Sequence, residues 1–354
     1  MAKILLKAGK IFDGEDFFDG DLLIENDKIV AIDGYIKSEN AIEVDCSDCI
    51  ISSGLVDIHT HLSEMGNNQF GFPADMATIP FGVLYAVDAC AGNTIVSNLD
   101  RLCVQTAVFV PILINGDFLD YEEIQARISL YGERVVGVKV YFDESLKNGT
   151  KKEHLQLACK FARERGLKVM VHCSYSPTTM LDIVEILGKG DIITHAYHGG
   201  YHTIDENDYI AYKKAKEKGV IIDAGNAGGV HTDFEILQKA IENGCIPDVI
   251  SSDITCFSAY MRGGVYGLCM CMSIARLCEM KEKDIFKSVT INAAKAVNKE
   301  NWFGLQVGAV ATLSVIKWSD AQIAIEDRAG NSLVSEKGYV CKMTVKNGQI
   351  IYRN

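Results

Sequence analysis

The sequence predicts an α/β protein built around a parallel (β/α)8 TIM barrel, with a small β-sandwich domain formed by both chain ends. The chain has 354 residues, which suits a barrel of about 250 residues and an appended domain. Apolar, strand-like segments alternate with helical patterns through the middle of the chain. Polar residues capable of chemistry stand at the ends of several of these segments, where such a barrel carries its active site.

Both ends of the chain have the pattern of small antiparallel sheets. Residues 1–51 contain short alternating segments broken by turn sequences such as "FDGED" and "ENDK". Residues 306–354 alternate in the same way and include Asn347–Gly348, a hairpin signal. We therefore expect residues 1–51 and 306–354 to form one β domain, and residues 52–305 to form the barrel.

The middle of the chain contains eight apolar segments with helical patterns between most of them. In the helical pattern at 151–167, Leu155, Ala158 and Ala162 share one face, and Gly166 closes the segment. Near-continuous apolar strands that alternate with helices are typical of a parallel barrel. The predicted strands are 51–59, 82–89, 106–115, 135–142, 168–174, 191–197, 219–225 and 248–253.

Composition excludes several classes of partner. The net charge of −12 argues against nucleic acid and anionic membranes, which need a basic surface. The twelve cysteines are scattered and form no pair of CxxC motifs, which indicates buried thiols in a reducing compartment. The first residues have no targeting pattern, and no apolar run is long enough to span a membrane. We expect a cytoplasmic enzyme with a small-molecule substrate and, by analogy alone, a homo-oligomer.

The stretch "SGLVDIHTHL" places His59 and His61 on the same face at the end of the first predicted strand. Two adjacent imidazoles can bind one metal ion, although an isolated pair is equally explained as polar residues at a strand end. Further residues that bind metals stand at other strand ends, and together they predict a metal centre at the barrel mouth. The predicted ligands are His59, His61, Lys139, His172, His195 and Asp253.

Lys139 supports the same prediction in another way. It lies between valines in "VGVKVYF", on a strand whose side chains should be buried. A buried ammonium without a partner is costly, so the residue needs a role. The alternative is a lysine at the strand end whose ammonium reaches solvent.

The order HxH, Lys, His, His, Asp on strands one, four, five, six and eight resembles the amidohydrolase superfamily, in its binuclear branch. The likeness covers the whole chain. It is closest to the dihydroorotase-like subgroup, whose members are often labelled dihydroorotase or adenine deaminase, and some of which deacylate small acyl compounds. The stretches that carry this closer likeness are "GVKVYFDES", "GLKVMVHCS", "GDIITHAYHGG" and "CIPDVISSDIT".

The resemblance implies a centre of two divalent metal ions, most simply Zn²⁺, with Mn²⁺ or Fe²⁺ as substitutes. His59, His61 and Asp253 would hold one ion, and His172 and His195 the other. Lys139 would carry a CO2-derived carbamate shared by both ions. A hydroxide that bridges the metals would be the nucleophile, and Asp253 would act as general acid and base.

The implied activity is hydrolysis of an amide bond (cyclic amide or N-acyl) or of an acyl-ester bond in a small molecule. A heterocycle deaminase of the adenine-deaminase type is the alternative enzyme, and a relative that has lost its metal ligands is the non-catalytic alternative. All six ligand positions are present, which argues against the latter. Tyr175 stands where mononuclear deaminases have a glutamate, and Asn226 where the near subgroup has a histidine.

Four residues in the loops after the strands are candidates for substrate binding. Arg262 could bind a carboxylate with two parallel hydrogen bonds. The other three follow strands two and six, where scaffolding roles are equally plausible: Asn93, Tyr197 and His198.

Two further histidines are not among the predicted ligands. His154 is on the polar face of a predicted helix and is expected to be exposed. His231 stands where another helix begins, with Thr232 or Asp233 as the expected N-cap.

Overall fold

The computed structural model describes residues 3–144, 150–261, 266–302 and 304–354. Strands and helices within these residues form a barrel and a β-rich region that contains both chain ends. The strands are β1 (Lys3–Phe12), β2 (Phe17–Glu25), β3 (Lys28–Asp33), β4 (Ile42–Asp45), β5 (Cys49–Ser53), β6 (Leu55–Thr60), β7 (Val83–Asp88), β8 (Gln105–Pro111), β9 (Ile114–Asn115), β10 (Phe118–Leu119), β11 (Val135–Tyr141), β12 (Lys168–His172), β13 (Ile192–Thr194), β14 (Ile221–Ile222), β15 (Leu313–Glu326), β16 (Ser332–Lys346) and β17 (Gln349–Arg353).

The helices fall mainly between the barrel strands and after the last of them. They are α1 (Ala74–Thr78), α2 (Tyr121–Tyr131), α3 (Lys152–Arg163), α4 (Met180–Ile186), α5 (Glu206–Lys218), α6 (Phe234–Glu242), α7 (Cys256–Met261), α8 (Leu268–Leu277), α9 (Glu282–Val289) and α10 (Ile291–Ala296). The amphipathic pattern predicted at 151–167 is confirmed by α3, which buries Leu155, Ala158 and Ala162. Among the described residues, no helix is long and apolar enough to cross a membrane.

The two chain ends meet in one sheet, as predicted. Its strands follow the order β17-β16-β15-β5-β1-β2-β3, and β4 adds to β1. The ends are joined by the antiparallel pairing of β15 with β5, in which Leu313 faces Ser53. Alternating apolar side chains, among them Leu6, Ile11 and Val315, form the core of this sheet.

Within the described residues the barrel contains seven regular strands, all paired in parallel, in the order β6-β7-β8-β11-β12-β13-β14. The eighth predicted strand, 248–253, is an irregular segment rather than a regular strand. Two isolated parallel bridges, Asp223 to Val249 and Thr60 to Ile254, nevertheless close the ring. Asp253, the last residue of the segment, has a φ of 48°, which lies outside the β region.

The segment predicted as a single strand at 51–59 is divided at Gly54. Before this residue, β5 pairs within the small sheet, and after it β6 begins the barrel. A Cβ atom on Gly54 would lie 2.7 Å from Cδ1 of Leu84, so only glycine lets the chain pass so close to β7. The continuous apolar character of the segment arises because both halves are buried, each in a different sheet.

Candidate metal centre

The predicted ligands gather at the C-terminal end of the barrel. His59 is near the end of β6, Lys139 lies within β11, and His172 is the last residue of β12. His195 directly follows β13. All six predicted ligands are buried, and all but Lys139 line a cavity of about 240 Å³: His59, His61, Lys139, His172, His195 and Asp253.

His59, His61 and Asp253 form a first group whose ligand atoms all lie within 4.8 Å of one another. Oδ1 of Asp253 lies 2.9 Å from Nε2 of His61 and 3.3 Å from Nε2 of His59. Neither contact has the geometry of a hydrogen bond, and this buried oxygen has no hydrogen-bond partner among the described residues. Buried polar atoms normally find such partners. Three donor atoms that converge without hydrogen bonds between them fit a metal ion.

A second group contains His172, His195 and His231, with ligand atoms again within 4.8 Å of one another. The ring centroids of His195 and His231 are 4.3 Å apart, and that of His172 lies 4.5 Å from His195 and 4.9 Å from His231. The sequence analysis placed His231 at the start of a helix and not in the site. The position of His231 in a loop that follows a barrel strand could have predicted a place in the site, because such loops build the active sites of these barrels.

Hydrogen bonds orient the imidazoles of His59 and His195. Nδ1 of His59 lies 2.9 Å from Oγ1 of Thr194, whose hydroxyl donates to Oδ2 of Asp223 at 2.7 Å. Nδ1 of His195 lies 2.7 Å from the carbonyl oxygen of Gly225. Each acceptor draws the imidazole proton to Nδ1 and leaves Nε2 free to bind a metal.

Side chains from loops contact the imidazoles of His61 and His231. Nδ1 of His61 lies 3.1 Å from the amide nitrogen of Asn67, whose oxygen accepts from the backbone N–H of Phe70. Nδ1 of His231 lies 3.1 Å from Oγ of Ser174, two residues beyond His172. Asn67 and Ser174 are therefore further site residues that the sequence analysis did not identify.

Burial sets the protonation of the site. It lowers the pKa of His59 and of His195 well below the ordinary histidine value, and it lowers the pKa of His172 as well. Burial and the neighbouring His172 lower the pKa of His231 to about 3. These four imidazoles are therefore neutral near pH 7, which is the form that binds metals.

Lys139 is fully buried, and burial lowers its pKa to about 8. Its Nζ lies 2.9 Å from Nε2 of His59 and 3.5 Å from Sδ of Met170. Among the described residues, no carboxylate lies within 4 Å of this nitrogen. About a tenth of the amine is therefore uncharged at pH 7, a far larger fraction than for an ordinary lysine.

Two of the ligand residues have strained backbones. His195 and Asp253 have φ values of 64° and 48°, in the left-handed region that few residues other than glycine adopt. Such strain persists only where the surroundings impose it, and it is concentrated at functional sites. Both residues line the cavity, His195 directly after β13 and Asp253 at the end of the irregular eighth segment.

Two of the predicted substrate contacts lie elsewhere. Tyr197 is fully buried in the core, and its hydroxyl donates to the carbonyl oxygen of Cys245 at 2.8 Å. His198 is also buried, and its Nδ1 accepts from the backbone N–H of Gly200 at 3.0 Å. Neither residue lines the cavity.

The remaining predictions differ in outcome. Asn93 is exposed and does not line the cavity. Arg262 lies outside the described residues. The expectation that His154 is exposed was wrong: it is buried, and its Nδ1 accepts from the backbone N–H of Lys151 at the start of α3. The expected N-cap at Asp233 is confirmed, because its side chain accepts from the backbone N–H of Ile236.

The rest of the cavity wall is largely apolar. Phe70 and Phe257 are partly exposed at its rim, with ring centroids 5.9 Å apart, and Val230 lies on the opposite loop. Tyr141, Thr255 and Ser258 add hydroxyl groups. An apolar wall beside a cluster of metal-binding side chains is the usual arrangement of a small-molecule site.

Comparisons with known proteins agree with this architecture. The model of the amidohydrolase family matches residues 50–351. A deacetylase of Agrobacterium fabrum is 26% identical over 335 residues, which cover 88% of this chain and 81% of the relative. A deacetylase of Enterococcus faecalis is 24% identical and covers 98% of both chains. The solved structure of a dihydroorotase has a TM-score of 0.87 at 24% identity, with 99% of both chains covered. The solved structure of an adenine deaminase has a TM-score of 0.84 at 22% identity, with both chains fully covered.

The barrel closes around buried histidines and an aspartate, which are side chains that metal-dependent enzymes use as ligands. The family match covers most of the chain, and the protein belongs to the amidohydrolase family. The predicted superfamily, fold class and enzyme class are thereby confirmed.

Proposed function

We propose that this enzyme hydrolyses an acyl bond of a small molecule, an amide (cyclic amide or N-acyl) or an acyl ester, with two divalent metal ions. The observation that carries the proposal is the pair of adjoining groups of buried donor atoms. The names of the two long relatives, both deacetylases, support the acyl group as the one removed.

The nitrogen and oxygen donors fit Zn²⁺, with Mn²⁺ or Fe²⁺ as substitutes. His59, His61 and Asp253 would hold one ion, and His172 and His195 the other. The fit rests on the neutral imidazoles and on the buried Oδ1 of Asp253 that lacks a hydrogen-bond partner among the described residues.

Lys139 would supply the shared ligand as a carbamate. Its uncharged Nζ forms a bond to the carbon of CO2, one N–H proton leaves to solvent, and a monoanionic carbamate results. The lowered pKa of about 8 supports this step, because only the uncharged amine reacts. A carbamate would also place a negative charge beside the imidazole of His59, which lies 2.9 Å from Nζ of Lys139. Among the described residues, no carboxylate within 4 Å of Nζ supplies such a charge.

When bound, the metal ions supply an activated water and polarise the scissile carbonyl. The chain itself moves the proton. The carboxylate of Asp253 accepts it from the attacking water and returns it to the leaving nitrogen or oxygen. Phe70 and Phe257 border the cavity and shield the reacting groups from bulk water.

We assign His231 to the substrate. It lines the cavity beside His172 and His195, but it lies on a loop and is more exposed than either of them. Its neutral imidazole, oriented by Ser174, can hydrogen-bond the substrate or the developing charge.

The deaminase alternative gains no support from the site. Tyr175, at the position of the deaminase glutamate, does not line the cavity. Its ring instead packs under the guanidinium of Arg328, 4.2 Å away, and against Tyr201.

Two measurements test the proposal. Elemental analysis should find about two metal ions per chain in the wild type, fewer in Lys139→Ala, and the wild-type content in the control Lys160→Ala, which alters an exposed lysine of α3. Acid release from acyl esters and N-acyl compounds should exceed ammonia release from aminopurines. A content of one metal ion per chain in both the wild type and Lys139→Ala would overturn the carbamate. Ammonia as the main product would favour the deaminase.

A further inference from the structure

A long hairpin of the β-rich region reaches the mouth of the barrel. Strands β15 and β16 contain 14 and 15 residues and remain paired from Leu313 and Val345 to Glu326 and Ser332, a span of roughly 40 Å. We call residues 326–331, which join the two strands, the hairpin tip. The tip touches two loops that build the candidate site.

The first contact is with the loop that carries His231. A Cβ atom on Gly229 would lie 2.5 Å from the carbonyl oxygen of Glu326, so the tip and this loop are in direct backbone contact. Gly229 has a φ of 94°, a second reason why only glycine fits.

Asp327 makes the strongest link to the same loop. It is buried, and its Oδ1 accepts from the backbone N–H groups of Ala329 and Asn331 within the tip. Its Oδ2 accepts from the backbone N–H of Phe234 at 2.8 Å. Phe234 is the first residue of α6, so the carboxylate also faces the positive end of that helix.

The second contact is with the loop after β12. The guanidinium of Arg328 lies 4.2 Å from the centroid of the Tyr175 ring. Tyr175 follows Ser174, whose Oγ lies 3.1 Å from Nδ1 of His231. The hairpin tip therefore contacts both segments that the Ser174–His231 interaction joins.

We propose that Asp327 is a positioning residue that acts through His231, and that the hairpin tip thereby makes the β-rich region part of the active site. This proposal rests on the proposed function insofar as His231 contacts the substrate. The bond to Phe234 anchors the end of the loop three residues after His231. Without it, the imidazole spends less time in the orientation that the reaction needs, while the metal ligands stay in place.

The variant Asp327→Asn retains the size of the side chain. Both carboxylate oxygens of Asp327 accept backbone hydrogen bonds, and the amide of asparagine has only one oxygen that can accept them. Glu336→Gln is the matched control, since it removes one carboxylate from an exposed position of the same hairpin. Each change is made in the wild type and in His231→Gln. The readouts are kcat and KM for 4-nitrophenyl acetate, metal content, and deuterium uptake of the peptide that spans 226–240.

We expect Asp327→Asn to lower kcat roughly 10- to 100-fold at unchanged metal content and to raise the deuterium uptake of 226–240. The loss of kcat should vanish in the His231→Gln background, because two residues that act as a unit are not additive. Glu336→Gln should leave all readouts unchanged. An equal loss in both backgrounds, or a loss that accompanies metal release, would overturn the positioning role.

The outcome is separable from that of the proposed function. If the wild type hydrolyses no acyl ester, the proposed function fails by itself, and deuterium uptake still decides whether Asp327 anchors the loop. Equal uptake in Asp327→Asn and Glu336→Gln would refute the anchor. If Asp327→Asn does not fold, Arg328→Ala, at an exposed position of the tip, provides the same comparison. We expect a smaller loss of kcat in this variant, which should also vanish in the His231→Gln background.

Discussion

Nδ1 of His195 lies 2.7 Å from the carbonyl oxygen of Gly225, across the gap between two neighbouring barrel strands. The contact draws the imidazole proton to Nδ1 and leaves Nε2 for a metal. It depends on a glycine, because Gly225 has a φ of 54°. A Cβ atom there would lie 2.4 Å from Oγ1 of Thr194 and 2.7 Å from Nδ1 of His195. One small residue thus sets the position of two groups in the site.

Replacement of this glycine should displace His195. We expect Gly225→Ala to lose at least one metal ion per chain by elemental analysis, because the new methyl group occupies the space of the imidazole and of Thr194. Gly244→Ala is the control for backbone strain alone: its φ is 75°, and no atom lies within 4 Å of the new methyl group. It should cost about 1 kcal/mol in the free energy of unfolding and retain both metal ions. Equal metal content in the two variants would contradict the prediction.

Removal of the hydroxyl of Thr194 should weaken metal binding by the group of His59, His61 and Asp253. In Thr194→Val, Nδ1 of His59 loses its partner and the orientation of the ring is no longer fixed. We expect the affinity for Zn²⁺ to fall roughly 10- to 100-fold, measured by competition with a chelator. Thr78→Val, which removes a buried hydroxyl that donates to the carbonyl oxygen of Ala74, should leave the affinity unchanged. An unaltered affinity in both variants would show that the Thr194 contact does not orient the ligand.

The lowered pKa of Lys139 predicts a pH dependence of stability in metal-free, CO2-free protein. The folded-state pKa is about 8, whereas the ordinary lysine value is 10.5. Between these pH values the unfolded chain binds more protons than the folded chain, so the free energy of unfolding rises with pH in this window. The contribution is at most roughly 3 kcal/mol. Urea unfolding of wild type and Lys139→Met from pH 7.5 to 10 measures it, and an identical slope in both proteins would exclude it.

His231 should affect turnover and not metal binding. We expect His231→Gln to lower kcat/KM for 4-nitrophenyl acetate roughly 10²-fold, because the rigid imidazole that Ser174 orients is lost, and to retain the wild-type metal content. His154→Gln, at a buried histidine far along the chain at the start of α3, controls for the loss of a buried imidazole. Metal loss in His231→Gln would instead make this residue a third ligand of the second group.

The parts of the protein that sequence reasoning predicted are those with a local signal. The paired His59 and His61, the buried Lys139 and the strand-end His172 and His195 all stand at apolar strands whose period can be read along the chain. The pairing of the two chain ends was predicted because both ends alternate in the same way. The sequence alone therefore determined the fold class and the side chains that stand at the ends of the barrel strands.

Tertiary structure decided what lies beside these residues. His231, on the loop after β14, lies beside His172 and His195, and Asp327 binds the backbone N–H of Phe234 at the end of the same loop from a strand pair almost a hundred residues away. Tyr197 and His198 turn into the protein rather than into the cavity. Such outcomes depend on loop conformation and on long-range packing, which leave no periodic pattern in the sequence. Local patterns determine which strands form and where their polar ends lie, whereas contacts between distant segments determine which of those polar groups face the substrate.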